Sequence, residues 1–152
     1  MMPRENERYI FVYTVFKSDS LWEFAERLSA QTGLPIRTVS YSVLHRHKAV
    51  YDFTASPADW LGYMAGAAYV VTNSFHGVAF SLNFHKRFFY ELPPESTGVG
   101  SRHSNIVSRY GVEHRSIHTA NTEEEIDFVQ VEHRLEQDRT YAKTYLRESI
   151  GL

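Results

Sequence analysis

One short stretch concentrates the residue types that handle anions and protons. Val70-Val71-Thr72-Asn73-Ser74-Phe75-His76-Gly77 runs from a β-branched apolar segment through a polar turn into a helical pattern. A strand feeding directly into a helix leaves backbone N–H groups unpaired at the helix start. Those groups and the positive end of the helix dipole bind anions. Asn73 and Ser74 add side-chain donors, and Thr72 and Phe75 flank them as further candidate substrate contacts. His76 falls in the first helical turn, where an imidazole can give or take a proton near neutral pH. Gly77 lets a ligand or another backbone come close. An ordinary N-cap followed by a packed or solvated histidine would use the same residues, so both readings stand at this point.

A second junction has similar chemistry. In Gly98-Val99-Gly100-Ser101-Arg102-His103-Ser104, glycines precede a helix start carrying Arg and His. Arg102 suits a carboxylate or phosphate because its guanidinium donates two parallel hydrogen bonds. Ser101 and His103 are the candidate contacts beside it. The alternative is a plain Ser101 cap with an exposed Arg102. His45-x-His47, with Arg46 and Lys48, offers half a metal site or an anion patch, but no nearby carboxylate pair completes a ligand set. A solvated loop is expected there, and no metal. The chain has no Cys, which excludes disulfides, iron–sulfur clusters and thiolate zinc sites. No Gly-rich nucleotide loop and no Gly-x-Ser-x-Gly elbow occurs.

The elements that must position these residues alternate between strand and helix. Tyr9 to Val15 is apolar on both faces, as a central parallel strand covered by helices must be. Ser20-x-x-Glu23 reads as a capping box for a helix with Leu21, Phe24, Ala25 and Leu28 on one face, stopped at Gly33. Ile36 to Tyr41 predicts a second strand and residues 44–48 a loop. Ser56-Pro57 opens another helix, with Ser as cap and Pro in the first turn. Ala68 to Thr72, a helix from Phe75 to Phe84, and a strand from Arg87 to Tyr90 follow. Glu91 to Gly100 is a loop, Arg102 to Tyr110 a short helix, and His114 to Ile117 a fifth strand. Thr122-x-x-Glu125 opens the last helix, whose outer face interleaves Arg134, Arg139, Lys143 and Arg147 with Glu132, Glu136 and Glu148. Strand–helix units in series predict a Rossmann-like, doubly wound α/β fold with a mainly parallel sheet and helices on both faces. One domain over residues 9–152, after a flexible segment 1–8, fits the length of 152 residues.

With 16 Lys+Arg against 18 Asp+Glu, the net charge is −2, which provides no broad field for nucleic acid. No apolar run reaches the ~18 residues of a membrane span. The polar N-terminus has no secretory h-region, so a cytoplasmic protein is the default.

The residues from Ser56-Pro57 and Trp60-Leu61 through Ala67-Ala68-Tyr69-Val70-Val71-Thr72-Asn73-Ser74-Phe75-His76-Gly77-Val78-Ala79-Phe80-Ser81 resemble the carboxyl-terminal half of polysaccharide pyruvyl transferases. Arg87-Phe88-Phe89, Ser101-Arg102, Gly111-Val112 with Arg115, and Leu135, Arg139 and Leu146 of the last helix extend the likeness from about Tyr9 onward. The resemblance implies one of two Rossmann-like halves of a GT-B architecture. It also implies transfer of a pyruvyl group from phosphoenolpyruvate to a sugar of a cell-surface polysaccharide or exopolysaccharide, with no cofactor beyond that donor. His76 and its turn would face the donor, and Arg102 would take its carboxylate or phosphate. Work at the inner face of the membrane, with polysaccharide assembly, would follow. Ser74 stands where some branches carry Arg. Members usually have another domain of similar size before this one, so a truncated or detached half, completed by that domain or by self-association, is expected. A nucleotide-sugar glycosyltransferase half and a non-enzymatic interaction module are the alternatives.

Overall fold

The computed structural model describes residues 7–39, 47–94, 98 and 100–151. Its centre is β1 (Ile10–Tyr13), whose first three residues are fully buried on both faces. The sheet continues through β2 (Ile36–Val39), β3 (Val50–Asp52), β4 (Tyr69–Thr72) and β5 (Arg87–Tyr90). All pairs are parallel and the spatial order is β3-β2-β1-β4-β5. In register, Val12 faces Thr38 on one side and Val71 on the other.

Strand alternation divides the core into two layers. Phe11, Val70 and Phe88 point to a cluster built with α2 (Pro57–Gly66), α3 (Phe75–Asn83), α4 (Gly100–Tyr110) and α5 (Phe128–Ser149). Ile10, Val12, Val71 and Phe89 point the opposite way, onto Leu21, Phe24, Ala25 and Leu28 of α1 (Asp19–Thr32) and onto Ile117. The doubly wound α/β expectation is therefore met. Local signals also set several boundaries. Ser56 caps α2 through a complete capping box with Asp59, and Pro57 sits in its first turn. Gly33 ends α1 with φ 72°, a left-handed conformation that glycine adopts without steric cost.

Four expectations need correction. The helix after β1 is capped by Ser18, whose hydroxyl accepts from Leu21 N; Ser20 instead donates to Glu91. The strand that the sequence does not announce is β3, a three-residue edge strand without the two-sided apolar run that marks β1. Residues 114–117 form no strand. They make a 3-10 turn (Glu113–Arg115) and one parallel bridge between Tyr90 and Ser116. Arg115 explains the difference: it is 1% exposed, its Nε donates to Phe88 O, and its guanidinium stacks 4.1 Å from the Phe89 ring. A side chain, in place of a strand, covers that part of the β5 edge. Finally, the last helix starts at Phe128 under an Asp127 cap, not at Thr122. The preceding segment turns at residues 122–123 and stays non-helical, with Glu124 O accepting from Arg115 and Ile126 buried.

Candidate functional site

The chain builds β1, β2 and β3 outward on one side, then returns to lay β4 and β5 on the other. The order reverses between β1 and β4, and ligands of open parallel sheets bind outside the carboxyl ends at such a point. Thr72, the last residue of β4, donates from Oγ1 to Tyr13 O at 2.7 Å and accepts from Ser74 N at 3.0 Å. It therefore ties the two strand ends together and shapes the turn. Asn73 is 1% exposed. Its Oδ1 accepts from Val15 N at 2.9 Å and its Nδ2 donates to Phe16 O at 2.9 Å. The side chains of both residues are engaged in building the crevice.

Ser74 is the N-cap of α3 yet makes no side-chain cap. Among the described residues, the backbone N–H groups of the first turn thus stand at the crevice without side-chain acceptors, the arrangement that favours an anion. Gly77 brings this helix hard against the strand: a Cβ there would run into Oγ1, Cβ and Cγ2 of Thr72. The close approach anticipated at Gly77 is made by that side chain.

His76 is exposed at the helix start. It lies on the rim of a cavity of about 380 Å³, bounded below by Tyr13 and Val39 and at the sides by Ser56, Trp60 and Phe80. The adjacent Phe75 links the two junctions of the sequence. Its ring meets the His103 ring edge-on at 5.8 Å, and the Arg102 guanidinium lies 5.5 Å from its centroid. His103 is buried, whereas Ser101 and Arg102 are exposed in the first turn of α4. The structure therefore brings Phe75, Arg102 and His103 into one cluster, next to His76. Ser101 lies on the same turn.

Glu91, which the sequence marks only as the start of a loop, belongs to this neighbourhood too. Its N–H donates to Thr72 O at 3.0 Å, and its carboxylate accepts from Ser20 Oγ at 2.7 Å, beside the same strand end. A carboxylate directly after a strand terminus was the signal available. His45 lies outside the described residues. His47 stacks on Trp22 at 4.2 Å and meets Glu26 through Nδ1 at 3.2 Å. Among the described residues no His, Asp or Glu cluster is suited to a metal. No described helix is long and apolar enough to cross a membrane.

Fold and site together define an α/β protein whose parallel sheet has, at its switch point, a helix start that Ser74 does not cap through its side chain. The polysaccharide pyruvyl transferase family model matches residues 3–90. That span is more than half of the chain, and the chain belongs to this family. The match runs from before β1 to the end of β5, so it includes Thr72 to Gly77 and stops short of Ser101, Arg102 and His103. No curated protein and no solved structure matches the chain significantly.

Proposed function

We propose that this domain holds phosphoenolpyruvate for transfer of its pyruvyl group to a sugar of a polysaccharide. Family membership supports a transferase of this class. The observation that carries the donor reading is the uncapped start of α3, with His76 in its first turn and Arg102 over Phe75. Phosphoenolpyruvate has a phosphate and a carboxylate and needs two anchors. The first-turn N–H groups supply one and the Arg102 guanidinium the other. Thr72 and Asn73 hold the turn in place, and His103 buttresses Phe75.

The reaction adds a proton to the methylene carbon of the donor. One sugar hydroxyl then bonds to the adjacent carbon, and a second hydroxyl displaces phosphate, closing a ketal. The two hydroxyl protons balance the one gained by carbon and the one carried off by hydrogen phosphate. His76 is placed either to supply the carbon proton or to stabilise the departing phosphate, a contribution of ~10²–10⁴-fold for proton transfer. Both His76 and Arg102 are exposed, as a donor site closed by a second, GT-B-like half would leave them. In this reading the cytoplasm, at the membrane face where polysaccharide is assembled, is the working compartment.

The test is a phosphoenolpyruvate titration followed by heat and by melting temperature, with Arg102→Ala and His76→Ala in parallel. Saturable stabilisation of the native chain, lost in Arg102→Ala, is the expected result. A folded chain that gains no stability from phosphoenolpyruvate, alone or with the other half of a family member supplied, overturns the reading.

A further inference from the structure

Resting on the pyruvyl-transfer reading, we propose that the cavity beside His76 is the acceptor subsite and takes a single pyranose ring against Trp60. The cavity lies above the carboxyl ends of β1 and β2, between the first turns of α2 and α3. Its volume, about 380 Å³, is near the small end of the ~300–1,000 Å³ common for ligand clefts. One ring fits the space better than an extended chain.

Three aromatic rings, Tyr13, Trp60 and Phe80, line it beside aliphatic Val39 and Leu61. Trp60 meets Tyr13 at 5.2 Å and 70°, and Phe80 at 5.2 Å and 82°. Edge-to-face packing of this kind holds the indole through ring contacts and leaves it partly exposed. The indole N–H is buried and, among the described residues, has no hydrogen-bond acceptor, although buried Trp N–H groups usually find one. The indole is held by its ring contacts with Tyr13 and Phe80 and by packing against the core cluster, and its exposed part is the surface on which a sugar ring would lie. The C–H face of a pyranose is apolar and lies flat on such a ring, with its hydroxyls left at the edge.

The position relative to His76 gives the cavity its role. Ketal closure needs two hydroxyls of one sugar to reach the same carbon, so that ring must be held in one orientation. A ring seated on Trp60 presents its edge to the rim, and His76 is on that rim. Among the described residues the walls carry Tyr13, Val39, Trp60 and Phe80 and no Lys or Arg, which suits a neutral ring and leaves the anionic donor to the start of α3.

Trp60 can be observed directly, because the chain has two tryptophans. In a Trp22→Phe background, the remaining emission reports on Trp60. Methyl glycosides of galactose, glucose and mannose are titrated in turn, and phosphoenolpyruvate binding is followed separately by melting temperature. At least one glycoside is expected to shift the emission saturably. In the Trp22-containing chain, Trp60→Leu and the milder Phe80→Leu are each expected to weaken binding of that glycoside, read by calorimetry, on the order of tenfold. The phosphoenolpyruvate shift should remain. Phosphoenolpyruvate binding with no glycoside response overturns the subsite alone. Loss of both responses overturns the pyruvyl-transfer reading beneath it. A Trp60 shift with adenosine or uridine and none with glycosides assigns the cavity to a nucleobase and also overturns the proposal.

Discussion

The Asn73 carboxamide grips the peptide groups of Phe16 across 57 residues of sequence: Nδ2 donates to Phe16 O at 2.9 Å, and Oδ1 accepts from Phe16 N at 3.4 Å. The same oxygen takes Val15 N at 2.9 Å. The loop leaving β1 is thereby fastened to the turn leaving β4, at the point where the sheet order reverses. This contact fixes one wall of the crevice to the helix start that forms the other.

Asn73→Ala should therefore destabilise the chain. It strands Val15 N–H and Phe16 C=O in a partly buried site, at about 1–3 kcal/mol. Asn73→Asp should also destabilise, because it removes the donor and sets a carboxylate against the Phe16 carbonyl. Urea unfolding measures both. An Ala variant within ~0.5 kcal/mol of the native chain, the range of an ordinary surface substitution, would show that the grip contributes little.

Gly77 and Thr72 share one volume, so substitutions there should couple. Gly77→Ala must displace α3 from β4 or force Thr72 off its rotamer, at about 1–3 kcal/mol. Thr72→Ala costs the hydrogen bonds to Tyr13 O and Ser74 N but removes two of the atoms the new methyl meets. The double variant should be more stable than the sum of the singles by at least ~0.5 kcal/mol, the threshold for residues in contact. Strict additivity in a denaturant-melt cycle would contradict this packing.

Legibility in the sequence followed the range of each interaction. The start of α2 is legible because Ser56 and Asp59 cap each other within four residues, with Pro57 in the first turn between them. β1 could be read because burial on both faces leaves an unbroken apolar run. The sequence marks Asn73 as a donor at the turn, yet its partners, Val15 N and Phe16 O, lie on another strand's loop, and no local pattern names them. Arg115 gave no sign of burial, since its acceptors, Phe88 O and Glu124 O, meet it only in the folded chain. Phe128, Val131, Leu135, Ala142, Tyr145 and Leu146 recur at helical spacing along α5, but Val131 and Leu135 are buried while Tyr145 and Leu146 are exposed. Periodicity reports a face and not how far along the helix that face is covered.

Arg115 should tolerate replacement poorly. It is almost fully buried, and desolvation lowers its pKa to about 10, still well above neutral pH. Arg115→Ala removes the donors to Phe88 O and Glu124 O and opens a cavity beside Phe89. The expected loss is about 3 kcal/mol or more, the range of a broken buried charge network. Arg115→Lys keeps the charge but not the fork of donors, and should recover only part of the loss. Thermal unfolding of the two variants orders them. Equal stability of Lys and native chains would mean that charge alone matters here.

The joint between α4 and α5 should be sensitive to acid. Asp138 accepts from Arg109 Nε and from Tyr110 OH, each at 2.7 Å. The Arg109 hydrogen bond is the main cause that holds the Asp138 carboxyl down, at about 2 against an ordinary 3.8. A carboxyl depressed in the folded state stabilises fully above its unfolded pKa, and that contribution fades as pH falls from about 4 through about 2. Asp138→Asn should thus lower the melting temperature by a few degrees at pH 7. The gap to the native chain should narrow below pH 4 and close near pH 2, because protonation then makes the native side chain equally uncharged. Arg109 is open to solvent, so salt should also shrink the gap at neutral pH. At the alkaline end, burial of Tyr110, reinforced by Asp138, raises its hydroxyl to about 12 from 10.0. The share of stability tied to its proton is complete below pH 10 and is lost as pH rises towards 12, which Tyr110→Phe should abolish. A melting series from pH 2 to 11 on the native chain and both variants measures each arm. An Asp138→Asn gap that stays constant from pH 7 to 2 would show that the carboxylate does not hold this joint.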